Sequence, residues 1–125
     1  MRLEEAVNQF MQGKLSNRLY PYILPQKPNL PAVAYTSVSI ERVHALQKDT
    51  GFVKHRFQFS CFAKTAKEAT GTATLIRSEL SDFSGNMAGL NIGGVLIISE
   101  TADYEKDTEL YSVKIEFEFQ YEEVN

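Results

Sequence analysis

The 125-residue sequence contains a single cysteine, Cys61, which excludes an internal disulfide and any zinc site built from several thiolates, and fits a reducing compartment. No apolar run approaches the roughly 20 residues that span a bilayer. The first residues, Met1-Arg2-Leu3-Glu4-Glu5, are acidic and amphipathic, unlike a charged and then apolar secretion signal. These absences predict a chain with no membrane partner and no secretion signal, folded in the cytoplasm where it is made. There is no basic run and no Arg/Lys stripe with interleaved aromatics, which disfavours duplex DNA binding. Histidine is scarce as well: His44 and His55 are the only two, and no spacing motif joins them to carboxylates as a metal site.

What is present suits one domain, residues 1–125, burying on the order of two-thirds of its unfolded surface. The net charge of −3 conceals an asymmetry, since residues 1–96 carry 11 basic against 7 acidic side chains and residues 97–125 carry 2 against 9. Either the acidic part is a solvated face, or oppositely charged surfaces meet, between strands of one sheet or between copies in head-to-tail contact. The strongest pattern lies from Glu109 to Glu123. Tyr111, Val113, Ile115, Phe117, Phe119 and Tyr121 alternate with Ser112, Lys114, Glu116, Glu118 and Gln120, the period of a strand with one core face and one polar face. Those eleven positions span about 36 Å, which predicts a strand extending beyond the body of the domain.

Along the chain, Leu3, Ala6, Val7, Phe10 and Met11 recur at helical spacing with Gly13 as the stop. All four prolines fall at positions 21, 25, 28 and 31, so a short strand through Arg18–Tyr22 gives way to a stiff extended connection. Strands are expected over Ala32–Ala45 and Phe52–Lys64, joined through turn chemistry at Gln47-Lys48-Asp49-Thr50-Gly51. On the second, Val53, Phe57, Phe59, Cys61 and Ala63 face one way and Lys54, Arg56, Gln58 and Ser60 the other. Thr65-Ala66-Lys67-Glu68 reads as a capping box opening a second helix with the stripe Ala66, Ala69, Ala73, Ile76, Leu80 and Phe83. Residues 84–94 hold four of the seven glycines and read as a mobile loop. Val95–Ser99 reads as a buried strand, followed by an acidic turn over Asp103–Asp107 and the terminal strand. The sum is an α+β domain, a mainly antiparallel sheet of four to five strands with two helices packed on one face, in the order α, short β, β, β, α, β, β.

A catalytic reading finds little support. His55 and Cys61 share one strand face, but six residues place them about 20 Å apart, beyond the reach of a nucleophile and its base. Cys61 among Phe57, Phe59 and Ala63 reads as an inert buried thiol. The glycine-rich segment leaves a helix, enters a strand and carries no lysine, the reverse of a phosphate loop. The ladder Glu116, Glu118, Glu122 has no histidine beside it. No catalytic, metal or cofactor residues are assigned, and no cofactor is expected.

The sequence resembles the small tail-completion (tail-terminator, head–tail joining) proteins of long-tailed bacteriophages and prophages. The resemblance rests on the N-terminal helix leading to Arg18-Leu19-Tyr20-Pro21, on Pro31-Ala32-Val33-Ala34-Tyr35, on Arg56-Phe57-Gln58-Phe59-Ser60-Cys61-Phe62-Ala63, and on the helix from Ala66 to Leu80. Asp103-Tyr104-Glu105 and the closing strand Tyr111-Ser112-Val113-Lys114-Ile115-Glu116-Phe117-Glu118-Phe119 complete it. It implies a structural virion protein, not an enzyme, that self-associates as a hexameric ring at the head-proximal end of the tail tube. There it would touch the tail tube protein and the head connector, while DNA passes without sequence-specific contact. Candidate interface residues are Lys54 and Arg56 against Glu116 and Glu118, with Asn86, Met87, Leu90 and Asn91 of the glycine-rich segment ordering on assembly. The competing class is a small dimeric α+β ligand-binding or enzymatic domain with an enclosed apolar pocket.

Overall fold

The computed structural model describes residues 3–15, 18–24, 30–44 and 49–122. The first helix, α1 (Leu3–Met11), buries Leu3, Ala6, Val7 and Met11 and runs into a short 3₁₀ turn at Gly13–Leu15. Strand β1 (Leu19–Pro21) is followed by β2 (Ala32–His44) and β3 (Asp49–Ala63). The second helix, α2 (Ala66–Leu80), begins as its sequence dictates: Thr65 is the N-cap and its hydroxyl oxygen accepts the Glu68 backbone N–H at 3.1 Å. The chain ends its described part in β4 (Gly85–Met87), β5 (Leu90–Glu105) and β6 (Leu110–Glu122).

These strands form one sheet in the order β1-β2-β3-β6-β5-β4, curled into a half-barrel. The expectation of four to five antiparallel strands is therefore corrected: among the described residues there are six, and the sheet is mixed. Two local causes account for the difference. After the break at Pro21 the chain returns so that β1 lies parallel to β2, with Leu19, Tyr20 and Pro21 beside Val33, Ala34 and Tyr35. Backbone bonds from Val33 N–H to Arg18 O and from Tyr22 N–H to Tyr35 O close this edge. The second cause is the glycine-rich segment, which is a hairpin and not a loop. Ala88 and Gly89 both have positive φ, 48° and 101°, the turn that joins antiparallel strands through two residues. The flanking pairs Met87 with Leu90 and Gly85 with Ile92 add β4 to the sheet.

The period-two pattern of β3 and β6 sets the core. Val53, Phe57, Phe59, Cys61, Ala63, Ile115, Phe117 and Phe119 are buried, and both helices cover this face in one cluster that includes Ala69, Ala73, Ile76 and Leu80 of α2. Phe57 stands at its centre, with ring centroids 5.4 Å from Tyr35 and Phe59 and 5.8 Å from Phe119. Ala66, expected in the stripe, is exposed at the first turn, ahead of the point where α2 reaches the sheet. The predicted turn at residues 47–51 lies partly outside the described residues, and its described part, Asp49–Gly51, already belongs to β3. The acidic turn also shifts: β5 runs on through Glu105 and the reversal follows it, so Asp103 and Tyr104 pair with Ser112 and Tyr111. From Leu96 to Glu105 every β5 side chain is exposed, whereas Ser112, Val113, Ile115 and Phe117 opposite it on β6 are buried, so the exposure belongs to the β5 edge.

Candidate assembly surface

The polar face follows from the same alternation. β3 and β6 are antiparallel neighbours with Lys54 opposite Gln120, Arg56 opposite Glu118, Gln58 opposite Glu116 and Ser60 opposite Lys114. The structure thus brings the four charged residues singled out in the sequence onto one patch of one chain. Arg56 Nη1 lies 3.7 Å from a Glu116 carboxylate oxygen, with the arginine half exposed. A pair at that separation in water contributes less than about 1 kcal/mol, so it orders the face more than it stabilises the fold. Glu118 accepts a hydrogen bond from the Gln120 amide at 2.8 Å.

The four candidates on the β4–β5 hairpin divide. Met87 is fully buried in the chain's own core and Leu90 packs against it, whereas Asn86 and Asn91 are exposed. The Asn86 side-chain oxygen accepts the Gly89 N–H at 2.9 Å, and its amide nitrogen donates to Asn91 Oδ1 at 3.3 Å. The hairpin is tied by its own side chains, so its order in a single chain follows from local bonds.

His55 and Cys61 both lie on the core face of β3 and are buried. The His55 ring contacts the Ser37 hydroxyl through Nε2 at 2.5 Å and the Tyr121 hydroxyl through Nδ1 at 3.0 Å, an arrangement that satisfies a buried imidazole within the sheet. Burial, with a smaller contribution from the Glu100 charge, pushes the Cys61 thiol up to about 12, which leaves it protonated and unreactive. Among the described residues no three His, Cys, Asp or Glu side chains gather in a way that holds a metal ion, and no helix is long and apolar enough to cross a membrane. A cleft of about 150 Å³ between Lys14, Leu15, Arg18, Pro31, Val33, Thr72 and Leu75 is present, below the range of about 300–1,000 Å³ of small-molecule sites.

Sequence reasoning missed the exposed apolar edge. Val95 is buried, but Leu96, Ile97 and Ile98 are 48%, 41% and 40% exposed, against the expectation of a buried strand. A register shift between Ile97 and Ser99 inserts an extra residue opposite β6, and β4 pairs β5 only through Leu90–Ile92. A continuous apolar run carries no period to show which face, or edge, its side chains will occupy.

The model of the family "Tail completion protein gp17" matches residues 3–122. The chain belongs to this tail completion family. A chain from the virion of a native gene transfer agent particle shares its fold, with a TM-score of 0.76 at 14% identity over 96% of this chain and 94% of that one. No curated protein matches the sequence. Family membership makes this a structural protein of the phage tail, which acts in virion assembly and whose family is not known for catalysis.

Proposed function

We propose that this tail completion protein caps the head-proximal end of the tail tube as a ring, six copies in the simplest case, and joins the tail to the head connector, with DNA passing through without sequence-specific contact. The reading is supported most by the division of the sheet. Its apolar face is sealed by the chain's own helices, while its polar face sets Lys54 and Arg56 directly beside Glu116, Glu118 and Gln120 and has no covering element among the described residues. A sheet face carrying both signs of charge suits docking to protein neighbours by complementarity. In this reading Lys54, Arg56, Glu116 and Glu118 meet the neighbouring tail or connector protein, and Asn86 and Asn91 extend that contact from the β4–β5 hairpin, with Met87 and Leu90 anchoring it from below.

The test is to mix the purified chain with purified tail tubes and image them. Density at one end of each tube, with a mass in solution that rises only when tubes are added or that already matches a ring, is the expected result. A stable dimer indifferent to tubes overturns the reading. Glu116→Lys with Glu118→Lys should keep the circular dichroism spectrum of the parent and weaken attachment, and unchanged attachment removes the charged face from the contact.

A further inference from the structure

Among the described residues the sheet ends in two edges that are only partly covered. On one side, β1 pairs with β2 through Val33–Tyr35 alone, so Thr36–Glu41 have no strand partner on that side among the described residues. On the other side, β4 pairs with β5 through Leu90–Ile92, and the Asp82 N–H bonds Val95 O, so strand cover ends there and Leu96–Glu105 run on beyond it. Such edges are templates for further strands and are ordinarily short, charged or covered. Here they carry apolar side chains instead: Val38 and Ile40 on β2 are 45% and 50% exposed, and Leu96, Ile97 and Ile98 occupy β5. Five of the exposed large hydrophobic residues therefore stand on the two open edges.

Resting on the ring reading above, we propose that the open edge of β5 in one copy pairs with the open edge of β2 in the next copy, so that the sheets of neighbouring copies become continuous. The topology favours a second copy as the occupant. β2 to β3, β3 to β6 and β6 to β5 are each antiparallel, and three reversals make β5 antiparallel to β2. Copies related by rotation about an axis along the strands therefore meet β5 to β2 in an antiparallel ladder, the pairing favoured per residue. The junction is heterologous and propagates until the rotation closes, which an isologous contact cannot do. The pairing within the sheet shows which edge residues lie at the same level. Ser39 pairs with Arg56, Arg56 with Glu118 and Glu118 with Leu96, which puts Ser39 level with Leu96 on the polar face, and Thr36 level with Ser99 by the same route.

The pairing is tested by cysteine cross-linking in assembled particles. Ser39→Cys is combined in turn with Leu96→Cys, Ser99→Cys and Thr101→Cys, since strand tilt displaces the register by a few residues. The buried native Cys61 stays silent under mild oxidation. Directly opposed residues in an antiparallel pair have Cβ atoms about 4.5–5.5 Å apart, close enough for a disulfide after slight adjustment. The expected result is a ladder of covalent multimers on a denaturing gel from at least one double variant and none from any single variant. Particles that contain the chain but give no ladder from any pair overturn the edge pairing and leave the ring reading standing. A cross-linked dimer from a single variant on β5 shows isologous pairing and also overturns it. Particles that lack the chain overturn both. As a second readout, Leu96→Lys with Ile98→Lys alters exposed positions only, so the monomer should fold as the parent does while incorporation into particles falls at least about tenfold; undiminished incorporation contradicts the proposal.

Discussion

Replacing Phe57 by alanine probes whether the centre of the β3–β6 core is what holds the sheet on its helices. Phe57 is fully buried and meets four rings, Tyr35, His55, Phe59 and Phe119, at centroid distances of 5.4, 5.9, 5.4 and 5.8 Å. Deleting a buried phenylalanine costs about 3–5 kcal/mol in transfer and cavity terms. The lost ring pairs, each about 0.5–1.5 kcal/mol and not additive, place the expected value toward the upper half of that range, about 4 kcal/mol. At about 0.05–0.15 kcal/mol per residue the whole chain is stable by roughly 6–19 kcal/mol, so the variant is expected to fold with much of its margin gone. The assay is equilibrium urea unfolding followed by circular dichroism. With a slope of about 1.5 kcal/mol per molar for a chain of this size, the midpoint should fall by about 2.5–3 M at unchanged slope. The matched control is Leu96→Ala, at a position 48% exposed, for which a loss of less than about 1 kcal/mol is expected. If Phe57→Ala moves the midpoint no further than Leu96→Ala does, the packing argument for the core is wrong.

Three further outcomes follow from single observations. Thr65→Ala removes the acceptor of the Glu68 N–H at the start of α2 and should cost about 1 kcal/mol in the same unfolding assay, while Thr65→Ser should restore most of it. Gly71 lies in α2 with open space where a Cβ would stand, so Gly71→Ala should stabilise by about 0.5–1 kcal/mol; Gly85→Ala, also into open space but at φ +115°, should destabilise by about 1–3 kcal/mol, so the sign of the two alanines should differ. The raised Cys61 thiol, at about 12 against an unfolded value of 9.0, is protonated in the folded chain where the unfolded chain has lost its proton, so stability should fall as pH rises from about 9 to 12 by up to about 1.4 kcal/mol per pH unit. Cys61→Ala should lack that component of the slope, and equal slopes in the two proteins would show that the thiol is not held neutral by the fold.

The faces of this protein are legible in its sequence and its edges are not, for one physical reason. Whether Phe57 or Arg56 points inward is decided residue by residue by the pleat, so alternation on β3 and β6 is enough to identify the core, the polar face and the shared face of Arg56, Glu116 and Glu118. The N-cap at Thr65 is equally local, a hydroxyl three residues from the N–H it accepts. An edge depends instead on what fails to lie beside a strand. β4 is three residues long, too short to show a period, and its turn depends on two positive φ values that a glycine-rich composition permits without specifying. β1 joins the sheet in parallel, a pairing that no repeat in the sequence announces. The run Val95–Ser99 therefore reads as a strand buried on both sides, because such strands are continuous apolar stretches. The same composition also suits the edge pairing proposed above, in which Leu96, Ile97 and Ile98 are buried against a second copy and look overly apolar in the single chain alone.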